Sequence, residues 1–353
     1  MLYILVLIHV KYVGSLFVTS SEILLNDKNC QIMLKKISPV ALTACSAYDK
    51  QTLLPALDRV LKTLELSTSL STSLRSSVVL LKPNLISAKA GPLACTEGTL
   101  ILAMARWFID QGARVGIGDS PAFGTALSVL KNLNLLDELA RLGVQIRSFK
   151  QGVPTELAGG GQAVLARAAL ECDLLVNMPR VKAHVQARLT MSVKNYFGCL
   201  VGLRKAWWHM AHGGTKSHEK DGFFDRLIRI PAALPSSLNI IDGIVAMHKS
   251  GPINGTPYPL SVLAASTNAV AADRAFHAIL RVDPQDSPLM AACQRAHMHG
   301  AALSQLSFPL ATPEDLQVND FQVPGTLNPV RFNPFRFLKS SARRVFMSND
   351  RLL

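Results

Sequence analysis

The chain has 353 residues, 49% of them hydrophobic and 17% charged, which is enough apolar material for one large core or two modest ones and excludes a disordered chain. Its 37 Lys and Arg against 24 Asp and Glu leave a net charge of +13, which suits an anionic partner: a phosphorylated or carboxylated small molecule, nucleic acid or a membrane surface. The six cysteines lie far apart with no C-x-x-C, which excludes the usual zinc and iron–sulfur spacings and reads as a reduced, cytoplasmic protein.

The opening MLYILVLIHVKYVGSLFVTSSEILL is apolar, but it lacks a basic start and Lys11 interrupts it. It also falls short of the ~20 continuous apolar residues of a spanning helix. Residues 1–32 are therefore expected to be an extension outside the fold, with a targeting segment as the alternative, a first strand opening at Met33 and an α/β domain running over 33–312. SSVVLLKPNL is an apolar, β-branched run that stops at Pro83, and TLILAMARWFIDQGA has helical spacing with Gly112 as its stop. RVGIGDSP predicts a strand and its loop, ALSVLKNLNLLDELARLG a helical stretch, and VQIRSF another strand. CDLLVNMP and LNIIDGIVAM read as strands, and LSVLAAST leads into helical AVAADRAFHAIL. Near-continuous apolar strands alternating with helices predict an α/β fold, a mostly parallel sheet covered by helices on both faces.

Polar residues gather where these strands end. The exits carry Lys82 and Asn84; Asp119 and Ser120; Asn177, Arg180, Lys182 and His184; and Asp242. Open α/β sheets bind ligands outside the carboxyl ends of their strands, so one shared site is expected there. From Leu174 to His218 there is no acidic residue, while Arg180, Lys182, Arg188, Lys194, Arg204, Lys205 and Lys216 are all present. Read as one helix, LTMSVKNYFGCLVGLRKAWWHM would align Thr190, Lys194, Gly198, Gly202, Lys205 and His209 on a cationic face. Asn195 follows Lys194 in the same segment.

Other motifs are excluded. GIGDSP lacks the third glycine of a dinucleotide fingerprint, and no phosphate-binding Walker loop, H-E-x-x-H or nucleophile elbow occurs. Aromatic residues make up only 6% of the chain, and the cations sit at strand exits instead of along an exposed helix, so specific nucleic-acid recognition is not expected. Residues 313–353 form a basic C-terminal extension in which Arg331, Arg336, Lys339, Arg343, Arg344 and Arg351 interleave with Phe332, Phe335, Phe337 and Phe346. Such a segment is suited to weak contact with a membrane surface.

The segments LLKPNL, GDSPAFG, NMPRVKAH, TMSVKNYFG, GLRKAWWH and DGIVAMHKSGPINGTP resemble, in this order, the domain of unknown function 362 proteins, over residues 38–312. The resemblance implies a ligand site in these segments without naming a reaction. Some members of that family add a ferredoxin-like module with clustered cysteines; this chain has no such module, so an iron–sulfur cluster is not expected. The family usually has Lys where Arg180 stands and often Thr where Ala183 stands, and an arginine keeps the charge but not a lysine's proton-transfer chemistry. The Pro-basic-x-Lys-x-His pattern is also similar to that of the nickel-pincer lactate racemases, where such groups bind a phosphate-bearing cofactor and move a proton.

Two classes of function fit. One is an enzyme acting on an anionic metabolite: Lys82, Lys182 and Lys194 bind the anion, Lys182 and His184 serve catalysis, and Asp119 and Asp242 orient groups or hold a hard cation. Asn84, Ser120, Asn177, Arg180, Asn195, Lys205 and His209 complete the expected ligand shell. The other is a protein that binds or delivers an anionic cofactor through the same pocket without turnover.

Overall fold

The structure is a computed structural model and describes residues 37–64, 74–202 and 222–328, with Lys205, Trp208 and the strand pair Ile23–Leu24 and Met33–Leu34. Two units divide the chain, Met1–Ile37 and Ser38–Leu353. In the first, Ile23–Leu24 pairs antiparallel with Met33–Leu34. The strand read from Met33 onward is therefore broken: Ser38–Pro39 pairs with Leu306–Ser307, and only Ala41–Ala44 joins the main sheet.

That sheet has ten strands. They are β1 (Ala41–Ala44), β2 (Val78–Pro83), β3 (Arg114–Ile117), β4 (Gln145–Ile146), β5 (Leu174–Met178), β6 (Arg180–His184), β7 (Arg188–Thr190), β8 (Ser237–His248), β9 (Thr256–Tyr258) and β10 (Val262–Ser266). The order is β7-β6-β8-β5-β2-β3-β4, with β9 and β10 also on β8 and β1 on β10. Pairing is parallel from β4 through to β6 and antiparallel for β7, β9, β10 and β1. This is the mostly parallel α/β sheet that the alternation predicts.

Side chains of a strand alternate between faces, and the core follows. Val79, Leu81, Val176 and Ile240 pack on one face against α1 (Lys50–Thr63), α2 (Gly98–Asp110), α3 (Ala126–Asn132) and α4 (Leu136–Arg141), through Leu57, Ile101, Val129 and Leu139. Their neighbours Leu80 and Leu175 face the other way, toward Val193, Tyr196 and Phe223. Ile241 and Ala264 meet Phe276 of α6 (Ala269–Ile279) on that second side, beyond α5 (Ser192–Asn195) in the chain. Local signals set the helix ends: Asp49 accepts the Thr52 N–H at 2.9 Å to start α1, and Gly112, with φ +82°, follows the end of α2.

Three details depart from the sequence reading and place the site. β8 is 12 residues long, so Asp242 lies in the middle of a strand instead of at its exit. Arg180, Lys182 and His184 are not an exit loop but the alternate residues of a strand of their own, β6, which pairs parallel with β8 with a register shift between Arg180 and Lys182. Residues 313–328, read as the start of an extension, lie on the domain: Phe321 is buried, Lys249 N–H donates to Gln322 O at 2.7 Å, and Arg188 donates to Pro324 O at 2.8 Å. No helix among the described residues is long and apolar enough to cross a membrane.

Candidate functional site

The chain leaves β5 at Met178, turns at Pro179 and re-enters the sheet as β6 on the far side of β8. With a period of two, Val181 and Ala183 enter the apolar core, and Arg180, Lys182 and His184 point the other way. All three are less than 5% exposed. Buried cations require partners, and each finds a different kind.

Arg180 is held by carboxylates. Its Nε donates to Asp242 Oδ2 at 3.1 Å and its terminal nitrogen to Glu97 Oε2 at 3.3 Å and Tyr48 OH at 2.7 Å. Tyr48 in turn donates to Asp242 Oδ1 at 2.5 Å, and Glu97 N–H donates to Asp242 Oδ2 at 3.0 Å. Lys82 is likewise matched: Nζ meets Asp119 Oδ1 at 2.8 Å, while the N–H groups of Leu85 and Ser120 donate to that carboxylate, each at 2.9 Å. Gly198 lies against this pair, and a Cβ there would overlap Lys82 Nζ and Asp119 Oδ1. The close approach explains the glycine. Asp119 and Asp242, expected to orient a ligand or hold a hard cation, are thus occupied by the chain's own cations. Among the described residues no group of three or more His, Cys, Asp or Glu is placed to hold a metal ion.

Lys182 differs. Its Nζ donates to Asn84 Oδ1 and to Ala94 O, the latter at 2.7 Å, both uncharged acceptors. Burial pushes its ammonium down to about 7, and the positive charges of Arg180 and Lys194 act in the same direction. Lys194 has no carboxylate and no hydrogen-bond acceptor among the described residues; its Nζ lies 5.9 Å from the centre of the Phe197 ring. Burial pushes it down to about 8. His184 Nδ1 accepts the Gln186 N–H at 3.0 Å, which leaves the proton of a neutral ring on Nε2. Behind these cations runs a buried chain of amides: Asn84 donates to Asn195 at 3.2 Å, Asn195 to Asn177 at 2.8 Å, and Asn177 to Asn239 at 2.9 Å. It ties β2, β5 and β8 to α5 and fixes the floor of the site.

A cavity of about 70 Å³ opens among Asn84, Arg180, Lys182, His184, Lys194 and Asn195, with Ile86, Pro179, Thr190, Met191 and Pro252 as its other walls. No carboxylate lines it among the described residues. Of the residues expected in the site, Lys82, Asp119, Ser120, Asn177, Lys205 and Asp242 stand behind the cavity wall and not in it. Lys205 donates to Ser120 O. His209 lies outside the described residues.

The cationic helix is not observed as read. Thr190 ends strand β7, α5 is a single turn, Tyr196–Cys199 is a 3-10 turn, and Leu200 bridges Leu165 in extended conformation. Gly202 then adopts φ +60°, so no single face joins Thr190 to Lys205. Lys194 still reaches the cavity because a distant residue holds α5 in place: Asp273, on α6, accepts the N–H groups of Ser192 at 2.7 Å and Val193 at 3.0 Å. Burial raises that carboxyl to about 7 against these two hydrogen bonds. Sequence reasoning missed Asp273, Tyr48, Glu97 and Asn239. The lone acidic residue of AVAADRAFHAIL is the one local signal that pointed to any of them.

Residues 79–278, more than half of the chain, match the family described as Domain of unknown function (DUF362). A thylakoid-associated protein of Synechocystis sp. is 35% identical over 271 residues, covering 76% of this chain and 83% of the relative. Among solved structures, the lactate racemase apoprotein of Thermoanaerobacterium thermosaccharolyticum has a TM-score of 0.37 at 14% identity, over 63% of this chain and 56% of that one. A Thermotoga maritima protein has a TM-score of 0.36 at 12% identity, over 69% and 59%.

Proposed function

This chain belongs to the DUF362 family, and on that footing we propose that it is an enzyme which binds a small anionic metabolite in the cavity between β6 and α5 and moves a proton on it. One observation carries the reading: the cavity wall holds Arg180, Lys182, Lys194 and His184 and, among the described residues, no acidic residue. Cations held together away from water disfavour one another, and an entering anion relieves that cost. Measured against the ~10–15 Å³ that one water requires, the cavity takes a handful of waters or an anion of similar bulk. Lys182, brought to about 7, matches the neutral operating range in which proton transfer is most effective. His184 lines the same cavity.

Incubating the protein in D2O with a panel of small carboxylates and phosphate esters, and following their C–H signals by NMR, tests this. We expect solvent deuterium to enter one of them with the wild type and not with Lys182→Met. A ligand that is retained without exchange would make the protein a carrier of the anion instead. The name of the Synechocystis relative further supports a place at a membrane surface, in the reducing compartment that the cysteines suggest, with the basic C-terminal extension as the contact. Co-sedimentation of the full chain with anionic vesicles, abolished by salt, checks that expectation.

A further inference from the structure

Among the described residues the charges at the cavity do not balance. Arg180 is matched by Asp242 and Glu97, and Lys82 behind it by Asp119. Among the described residues Lys182 reaches only the uncharged oxygens of Asn84 and Ala94. Lys194 reaches no acceptor among the described residues. Both line one cavity of about 70 Å³, so two ammonium groups without carboxylate partners share a space a few ångströms across.

Resting on the anion-binding reading above, we propose that the ligand presents a compact dianion to this site, a phosphoryl group held between Lys182 and Lys194. A monocarboxylate brings one charge and leaves one ammonium uncompensated in a buried site. A dicarboxylate brings two, but separates them along a carbon chain. A phosphoryl group places its charge and three acceptor oxygens around one atom, and lysines bind it as point charges without the planar fork of an arginine. Among the described residues the one arginine at the wall is already committed to Asp242, and the two lysines are the ammonium groups that face the anion. Ile86, Met191 and Pro252 add an apolar wall, which suits a small organic group esterified to the phosphoryl. The lowered proton affinity of both lysines agrees with this picture, since a dianion would restore it.

Isothermal titration of the full chain at pH 7.5 and low salt, with inorganic phosphate, methyl phosphate, sulfate, malonate and acetate, tests the proposal. We expect phosphate and sulfate to bind at least tenfold more tightly than acetate or malonate. Lys182→Gln and Lys194→Gln should each weaken phosphate at least tenfold, and because each removes a buried charge without a carboxylate partner, both should fold at least as stably as the wild type. Sulfate, which stays doubly charged throughout, should be bound with net proton uptake, read from the enthalpy in buffers of different ionisation heat, and the uptake should shrink in either variant. Methyl phosphate binding more tightly than phosphate would mark an ester as the source of the dianion, and the reverse order free phosphate; either order supports the proposal. Acetate or malonate binding as well as phosphate would overturn it while leaving the small-anion reading intact. Phosphate affinity unchanged in both folded variants would also overturn it, and failure of every anion to bind would remove the anion-binding reading with it.

Discussion

Lys182 and Lys194 are held where their charge is disfavoured, and this sets the sign of a pH dependence. Their folded proton affinities, about 7 and about 8, lie below the ordinary 10.5. Between those values the unfolded chain binds more protons than the folded one, so stability rises with pH there and is lost as pH falls through the folded values. Urea unfolding of the ligand-free protein should show stability increasing from pH 7 to pH 9.5, by at most ~1.4 kcal/mol per pH unit for each lysine. Lys182→Met should remove one lysine's share of that slope, and a flat profile in the wild type would contradict the burial argument. Gly198 makes a second test. Gly198→Ala places a methyl group on the Lys82–Asp119 pair, and displacing a buried ion pair costs ~3–5 kcal/mol, measurable in the same denaturant titration.

The turn α5 is too short to hold itself in place. Met191 offers no side-chain cap, and the two N–H groups at its start go to Asp273 on α6. Asp273→Ala should therefore cost ~2 kcal/mol or more, the loss of a cap plus buried donors left without acceptors. It should also weaken phosphate binding, because Lys194 and Asn195 ride on the same turn. The carboxyl of Asp273, raised to about 7 from 3.8, acts with the opposite sign to the lysines: its contribution is present below 3.8 and lost as pH rises through about 7. The two windows do not overlap. Wild-type stability should fall across the acid window and rise across the alkaline one, and Asp273→Asn should flatten the acid limb alone.

Two ends of the chain behave differently in the fold. Ser38 and Pro39 pair with Leu306 and Ser307, whereas Met33–Leu34 pairs within the first unit. A chain beginning at Met33 keeps Ser38 and should melt within ~2 °C of the full protein, which corresponds to less than ~1 kcal/mol at this size. A chain ending at residue 312 loses buried Phe321 and the hydrogen bonds from Lys249 and Arg188 to the following segment. Burial of one large side chain alone contributes ~1.5–3 kcal/mol, so this truncation should lower the unfolding free energy by at least that amount, with the midpoint in urea as the readout.

The alternation of apolar strands with amphipathic helices was legible in the chain, because it follows from periodicity and from the breakers that end each run; Arg180, Lys182 and His184, read as a strand exit, lie within a strand of their own. The two-residue rhythm of RVKAH was also there to read as a strand, but a strand with a cation at every second position runs against the apolar pattern of its neighbours. The helical reading of 189–210 failed because it used spacing alone; the left-handed Gly202 and the bridge of Leu200 to Leu165 end any such face, and the bridge depends on a partner distant in sequence. What only the tertiary structure decided is which cations are compensated. Asp242 and Glu97 reach Arg180, and Asp119 reaches Lys82, across dozens of residues. Composition fixes how many charges a chain carries, but packing assigns their partners, and the functional reading rests on the two lysines that meet no carboxylate among the described residues.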